Sequence, residues 1–359
     1  MPHYSPDALR ETRSRAVMTT VPNARVGNWL FTFAFIVAFL VVFGGFVRLT
    51  RSGLSITEWN PISGTVPPLG EAAWQEEFTK YQQTPEFKEV NSNMTLDEYK
   101  YIFYIEWIHR FIARLAGLVY AIPVFYFLFT KKIPFREFGI YFLMGMLFIA
   151  QAFAGWVMVA SGLVDRPSVS HFNLTIHLLL ALSLFGLSLW TALGHKYGFL
   201  DKNKNAKWSL PSRLAVAFLG ILLVQISYGG FTAGLKAGHV SDTWPLMFGK
   251  LIPPNLFSSF INMFEAPQTI VFIHRWFAFV VLAAVIYLYS VVRKNNYQPD
   301  LFNGLQWFVA AVSLQIILGI LTILSYVNIV AALLHQAGAI ALFALSIYFI
   351  HRFRALDHV

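Results

Sequence analysis

Glu106, His109 and Arg110 fall within one run of five residues, Glu106-Trp107-Ile108-His109-Arg110, at the start of an apolar stretch that reaches about Phe129. In a helix, Glu106 shares a face with His109 three residues on and with Arg110 four residues on, and Arg110 stands four residues before Arg114. A carboxylate can accept a proton, an imidazole can ligate a metal, and a guanidinium can grip an anion. Burying such groups in a bilayer is costly, so their presence in an apolar segment marks a site.

The elements that must position them are membrane spans. The chain has 359 residues, 57% of them hydrophobic and only 13% charged, and its apolar residues come in runs of about 20, the length that crosses a bilayer. The net charge of +9 is spread between apolar runs and forms no basic face, which argues for a membrane and against nucleic acid. With no cysteine, disulfides, Cys-ligated zinc, iron–sulfur clusters and thiol nucleophiles are excluded. Metal chemistry here needs histidine, carboxylate or an imported cofactor.

Hydropathy predicts eight spans, at 29–48, 104–129, 138–160, 171–193, 213–234, 270–292, 303–324 and 329–350. The fold expected is therefore an all-α integral membrane protein. Residues 1–28 carry Arg10, Arg13, Arg15 and Arg25 but lead into a full-length span with no small-residue cleavage site after it, and so read as a cytoplasmic tail. Lys and Arg concentrate in that tail, in the even-numbered short loops and in the 351–359 tail, which puts both termini in the cytoplasm. The long loops, about 49–103 and 235–269, then lie outside, and their Pro, Trp and Gly content suggests compact caps.

Internal repetition divides the chain in two. Phe43-Gly44-Gly45-Phe46 returns as Tyr228-Gly229-Gly230-Phe231, Ile108-His109-Arg110 as Ile273-His274-Arg275, and Gln151…Gly155 as Gln315…Gly319, while His177 is matched by His335. These echoes predict two tandem four-helix bundles, 29–193 and 213–350, joined by a cytoplasmic linker at 194–212 and related by a pseudo-two-fold axis along the membrane normal.

Each half supplies one histidine from its second helix and one from its fourth, all near the outer ends of their spans. A lone histidine in a membrane helix usually serves packing through a hydrogen bond. Four at matched depth in two repeated halves suit pairs of axial ligands for a heme inside each bundle: His109 with His177, and His274 with His335. Zinc fits less well, because two histidines per half leave it short of ligands and no carboxylate stands beside His274. Arg110 has a partner available in Glu106; Arg275 does not, since position 271 is valine, and it is expected to face a heme propionate. His171, His195, His239 and His351, at span ends or in loops, are expected to be solvated or interfacial.

The halves are not alike. Glu106 precedes His109 by one turn where Val271 precedes His274, and the first external loop is longer than the second. Chemistry is therefore assigned to the N-terminal half and electron transfer to the C-terminal half. A salt bridge to Arg110 or a helix-start cap is the bland alternative for Glu106.

The combination of Gly44-Gly45-Phe46-Val47-Arg48-Leu49-Thr50-Arg51-Ser52-Gly53-Leu54-Ser55, Asp97-Glu98-Tyr99-Lys100-Tyr101-Ile102-Phe103 and Glu106-Trp107-Ile108-His109-Arg110 with Arg114 closely resembles the heme A synthase family, over essentially all eight spans. The resemblance implies oxidation of the C8 methyl of heme O to a formyl group, through a hydroxymethyl stage, giving heme A for cytochrome oxidase. It implies substrate heme on His109 and His177 and a heme b cofactor on His274 and His335, with Arg110, Arg114 and Arg275 as propionate candidates. The catalytic candidate is Glu106, as proton acceptor or water-positioning group. The family further implies a bacterial inner-membrane location, with heme O synthase and cytochrome oxidase assembly factors as candidate partners besides membrane lipid; a homo-oligomer is compatible with it. The chain resembles the cysteine-free branch, and Ala113 stands where the family often has glycine. Two competitors are a di-heme cytochrome b-type electron-transfer protein, which leaves the carboxylate and loop asymmetry unexplained, and a transporter, whose site would sit nearer the midplane.

Overall fold

The computed structural model describes residues 22–60, 62–163, 167–199, 207–294 and 299–357. The basic N-terminal tail up to residue 21, Arg166 and residues 200–206 of the linker lie outside the described residues.

Among the described residues, eight helices are long and apolar enough to cross a membrane. They are α1 (Ala24–Leu49), α2 (Leu96–Phe129), α3 (Phe138–Ala160), α4 (His171–Tyr197), α5 (Leu210–Gly234), α6 (Pro267–Lys294), α7 (Pro299–Leu324) and α8 (Ile329–Asp357). Local chemistry sets several of their ends. Asn23 starts α1 by accepting from the backbone N–H groups of Arg25 and Val26. A capping box, Thr95 with Glu98, starts α2 at Leu96, eight residues before the hydropathy boundary. At about 1.5 Å per residue this 34-residue helix is about 51 Å long, well beyond a hydrocarbon core of about 30 Å. His109 therefore lies nearly four turns into its helix, whereas His177, His274 and His335 lie about two turns into theirs. At the other end of the chain, the expected 351–359 tail is helical through Asp357. Asp357 accepts from Ser212 Oγ at 2.7 Å and Arg354 Nη1 at 2.8 Å, which ties the end of α8 to the start of α5.

The helices close into two rings. In the first, α1 packs on α2 and α4, and α3 packs on α2 and α4; in the second, α5 packs on α6 and α8, and α7 packs on α6 and α8. The rings meet through α4 with α5, α4 with α8 and α1 with α8. Phe185 of α4 and Phe343 of α8, eight residues after His177 and His335 respectively, stack on each other with ring centroids 6.0 Å apart. Contact between equivalent residues fits a two-fold relation between the rings. Outward positions carry large apolar side chains such as Phe35, Ile122 and Trp307, as lipid-facing surfaces require.

The long segment between α1 and α2 is a folded cap. Helices Glu71–Gln82 and Pro85–Glu89 interrupt it, and Trp74, Phe78 and Tyr81 pack on Tyr99, Ile102 and Phe103 from the first turns of α2. The expected loop of 49–103 thus ends at α2 and holds an apolar core of its own.

Candidate functional site

Glycines bring the four histidines into the bundles. A Cβ on Gly44 would lie 3.3 Å from the His109 ring and one on Gly229 would lie 3.1 Å from His274, while Gly155 and Gly319 would each meet His177 and His335 at 2.9 Å. Each imidazole thus lies against bare backbone on the neighbouring helix, which a larger residue would deny it. The residue four before that glycine is Leu40, Gln225, Gln151 and Gln315 respectively, and its backbone lies beside the ring. The contact closes to a hydrogen bond of 3.1 Å from His335 Nδ1 to Gln315 O, while Nδ1 of His177 and of His274 stays buried without a partner.

The second glycine of each pair serves the contact between rings. A Cβ on Gly45 would lie 1.8 Å from Gln336 Oε1 on α8, and one on Gly230 would lie 2.6 Å from Thr175 Oγ1 on α4. Gln336, next to His335, donates to Val41 O on α1 at 2.7 Å.

These residues fit a heme. The His274 and His335 rings are perpendicular, at 89°, with centroids 6.3 Å apart. Two histidines on one metal, with metal–nitrogen bonds of about 2 Å and ring half-widths of about 1 Å, put the centroids about 6 Å apart. In the first half, Phe43 stacks on His109 at 6.0 Å, and His177 lies against Gly155. No cluster of three or more His, Cys, Asp or Glu side chains suited to a bare metal ion occurs among the described residues.

Glu106 is 3% exposed, and donors converge on it from the 52–58 stretch. Its Oε2 accepts from Ser55 N at 2.9 Å, Ser55 Oγ at 2.7 Å and Ile56 N at 2.9 Å. Its Oε1 accepts from Arg110 Nη2 at 2.6 Å, so the expected i,i+4 pair is present. Tyr99 supports the arrangement by donating to Ser55 O at 3.2 Å. In the second half the matching spot is apolar: Val240, equivalent to Ser55, packs against the cluster of Ala237, Met247 and the buried Val271, equivalent to Glu106.

The propionate candidates hold backbone. Arg110 donates to Ile56 O at 3.3 Å and Glu58 O at 3.4 Å, and Arg114 donates to Asn60 O at 2.9 Å. Arg275, 4% exposed, donates to Ser241 O at 2.6 Å and Thr243 O at 3.0 Å, the equivalents of Ile56 and Glu58, and only its Nε is buried without a partner. Arg275 thus has partners that its own helix does not supply. Arg110 and Arg114 also line a pocket with Glu58, Asn60 and Trp107, and Trp107 Nε1 is buried without a partner.

The sequence reading assigned no role to Ser55, which donates twice to Glu106, because a hydroxyl in an irregular loop carries no spacing signal. It also missed Glu86 on Pro85–Glu89, which is 5% exposed with Oε2 unpartnered. Burial, and next the nearby Glu106 charge, push the Glu86 carboxyl up to about 7. Three histidines expected at wet positions are buried. His171 Nε2 lies 2.8 Å from Phe264 O; His195 accepts from Asn23 N at 3.2 Å and meets Tyr141 OH at 2.9 Å; His351 packs on Trp190. The helices run past the predicted span ends and cover His195 and His351, and the external loop covers His171 through Phe264, whereas His239 is exposed as expected.

Comparison with known proteins agrees with this geometry. A family model described as "Cytochrome oxidase assembly protein" matches residues 27–347. Proteins named heme A synthase are similar over nearly the whole chain. That of Wolbachia pipientis wMel is 41% identical over 330 residues, covering 90% of this chain and 91% of its own length. That of Parvibaculum lavamentivorans is 40% identical over 348 residues, covering 95% and 98%, and that of Maricaulis maris is 41% identical over 351 residues, covering 96% of both. Two glycine-cradled histidine pairs, a carboxylate in one half only and this extent of similarity lead to one conclusion: the chain belongs to the heme A synthase family.

Proposed function

We propose that the protein is a heme A synthase, an oxidoreductase that converts the C8 methyl group of heme O to the formyl group of heme A in its N-terminal half. The observation that carries this assignment of halves is the replacement of the Glu106–Ser55 pair by the apolar Val271–Val240 pair in a repeat that otherwise keeps its histidines, glycines and loop-holding arginine.

In this reading His109 and His177 hold the substrate heme, and Glu106 stands one turn from His109. Three donors occupy Glu106 Oε2, so Oε1, which has one donor, keeps the acceptor capacity to take a proton or orient a water. Arg110 and Ser55 aim that carboxylate. Arg110, Arg114 and Trp107 line the pocket where propionates would be received. His274 and His335 hold heme b, which when bound supplies one-electron relay to the reacting half. Arg275 serves first to hold the 241–243 backbone, with Nε left for a propionate.

The halves are taken as 29–193 and 213–350. The Lys and Arg distribution supports cytoplasmic termini in a bacterial inner membrane and a periplasmic loop-capped end. Receipt of heme O from its synthase, and passage of heme A to oxidase assembly factors, follow from the reaction. The test is heme extraction and chromatography after expression with and without a heme O supply. Heme A formed only with heme O is the expected result; unmodified heme in both cases, as from a di-heme electron carrier, overturns the reading.

A further inference from the structure

The two halves treat their fourth-helix histidines differently, and one residue difference goes with it. In the second half His335 Nδ1 donates to Gln315 O, and the Gln315 amide turns away to donate to His335 O at 2.7 Å. That orientation needs Gly338: a Cβ there would lie 2.1 Å from Gln315 Oε1. The equivalent of Gly338, three residues after the histidine, is Leu180 in the first half. There the Gln151 amide nitrogen lies instead 3.3 Å from His177 Nε2, and Gln151 Oε1 is buried without a partner. In the tautomer that carries the His177 proton on Nδ1, the Gln151 amide donates to the Nε2 lone pair that an iron would need. The second helices repeat the contrast. Gln225 donates to His274 O at 2.9 Å, but its equivalent beside His109 is Leu40, which has no donor.

We propose that Gln151, which rests on His177 Nε2 in the half where Leu180 replaces the equivalent of Gly338, is a placeholder that weakens heme ligation in the N-terminal half and so makes that site exchangeable. The C-terminal half lacks the placeholder, and both its histidine backbones are tied by glutamine amides. Its site is built for retention. Gln151 and Leu180 are positioning residues in this scheme, and the inference rests on the reading that both halves bind heme.

Heme titration of the full-length chain in detergent, followed at the Soret band, tests it, with the N-half phase identified as the one lost in His177→Ala. Gln151→Ala and Leu180→Gly should each tighten that phase about three- to tenfold, the weight of one hydrogen bond. Gly338→Ala should drive the Gln315 amide off His335 O and weaken the C-half phase by a similar factor. An unchanged C-half spectrum in Gln151→Ala and Leu180→Gly shows that they fold. If His177→Ala lowers the bound heme but neither substitution shifts the N-half affinity, the placeholder is overturned and the heme sites stand. If His177→Ala leaves heme stoichiometry at the wild-type value, the heme assignment itself falls, and the placeholder with it.

Discussion

Ser55 gives both its backbone N–H and its hydroxyl to one oxygen of Glu106, at 2.9 and 2.7 Å, across 51 residues of sequence. Arg110 holds the other oxygen, so the carboxylate belongs as much to the loop as to its helix. Glu106→Gln keeps the shape but removes the charge and the best acceptor. It should retain bound heme and lower heme A output by about a hundredfold or more; normal output on chromatography would remove Glu106 from the mechanism.

Copying the second half into the first separates support from chemistry. Glu106→Val alone leaves Ile56 N and part of Arg110 unpaired and Ser55 Oγ with only Ile102 O at 3.4 Å, and should cost about 3–5 kcal/mol in stability. Adding Ser55→Val, after the Val271–Val240 pair, should recover part of that loss without restoring heme A. Thermal unfolding and pigment analysis of the two variants read the two effects separately.

The glycine cradles predict which half each substitution damages. Gly319→Ala and Gly229→Ala place a methyl 2.9 Å and 3.1 Å from the His335 and His274 rings, so heme loading of the C-terminal half should fall while the N-terminal phase persists. Gly155→Ala should do the reverse at His177. Optical or EPR spectra of low-spin heme distinguish these outcomes.

Arg275→Leu removes two charge-assisted bonds to Ser241 O and Thr243 O and should lower stability by roughly 2–5 kcal/mol. A propionate role for Arg275 adds a second effect, on heme content or redox potential. If both stay at wild-type values while stability drops, Arg275 only holds the loop.

Glu86 predicts a pH dependence. Its carboxyl titrates near 7 in the folded protein against an ordinary value of 4.5 because burial disfavours the charge; Glu106 adds to the rise, and Lys236 and Arg51 partly oppose it. Between those values the folded state binds more protons than the unfolded one, so stability should fall as pH rises from about 4.5 to about 7. Glu86→Gln should flatten that slope in melting curves taken across the window.

The sequence alone determined the eight spans, because runs of apolar residues have no other stable home, and it determined the repeat, because His109, His177, His274 and His335 recur with their glycines. It also marked Glu106 against Val271. What it left to the tertiary structure were the partners. Ser55 meets Glu106, and Ser241 and Thr243 meet Arg275, only once irregular loops fold back over the helix ends, and no periodicity encodes that return. His195 and His351 are buried because neighbouring helices extend past the hydropathy limits, and His171 because the external loop folds Phe264 onto it. The exchange of Gly338 for Leu180 is visible in the sequence as one residue difference. Its consequence depends on which way a glutamine amide on the adjacent helix can turn, and packing between helices decides that.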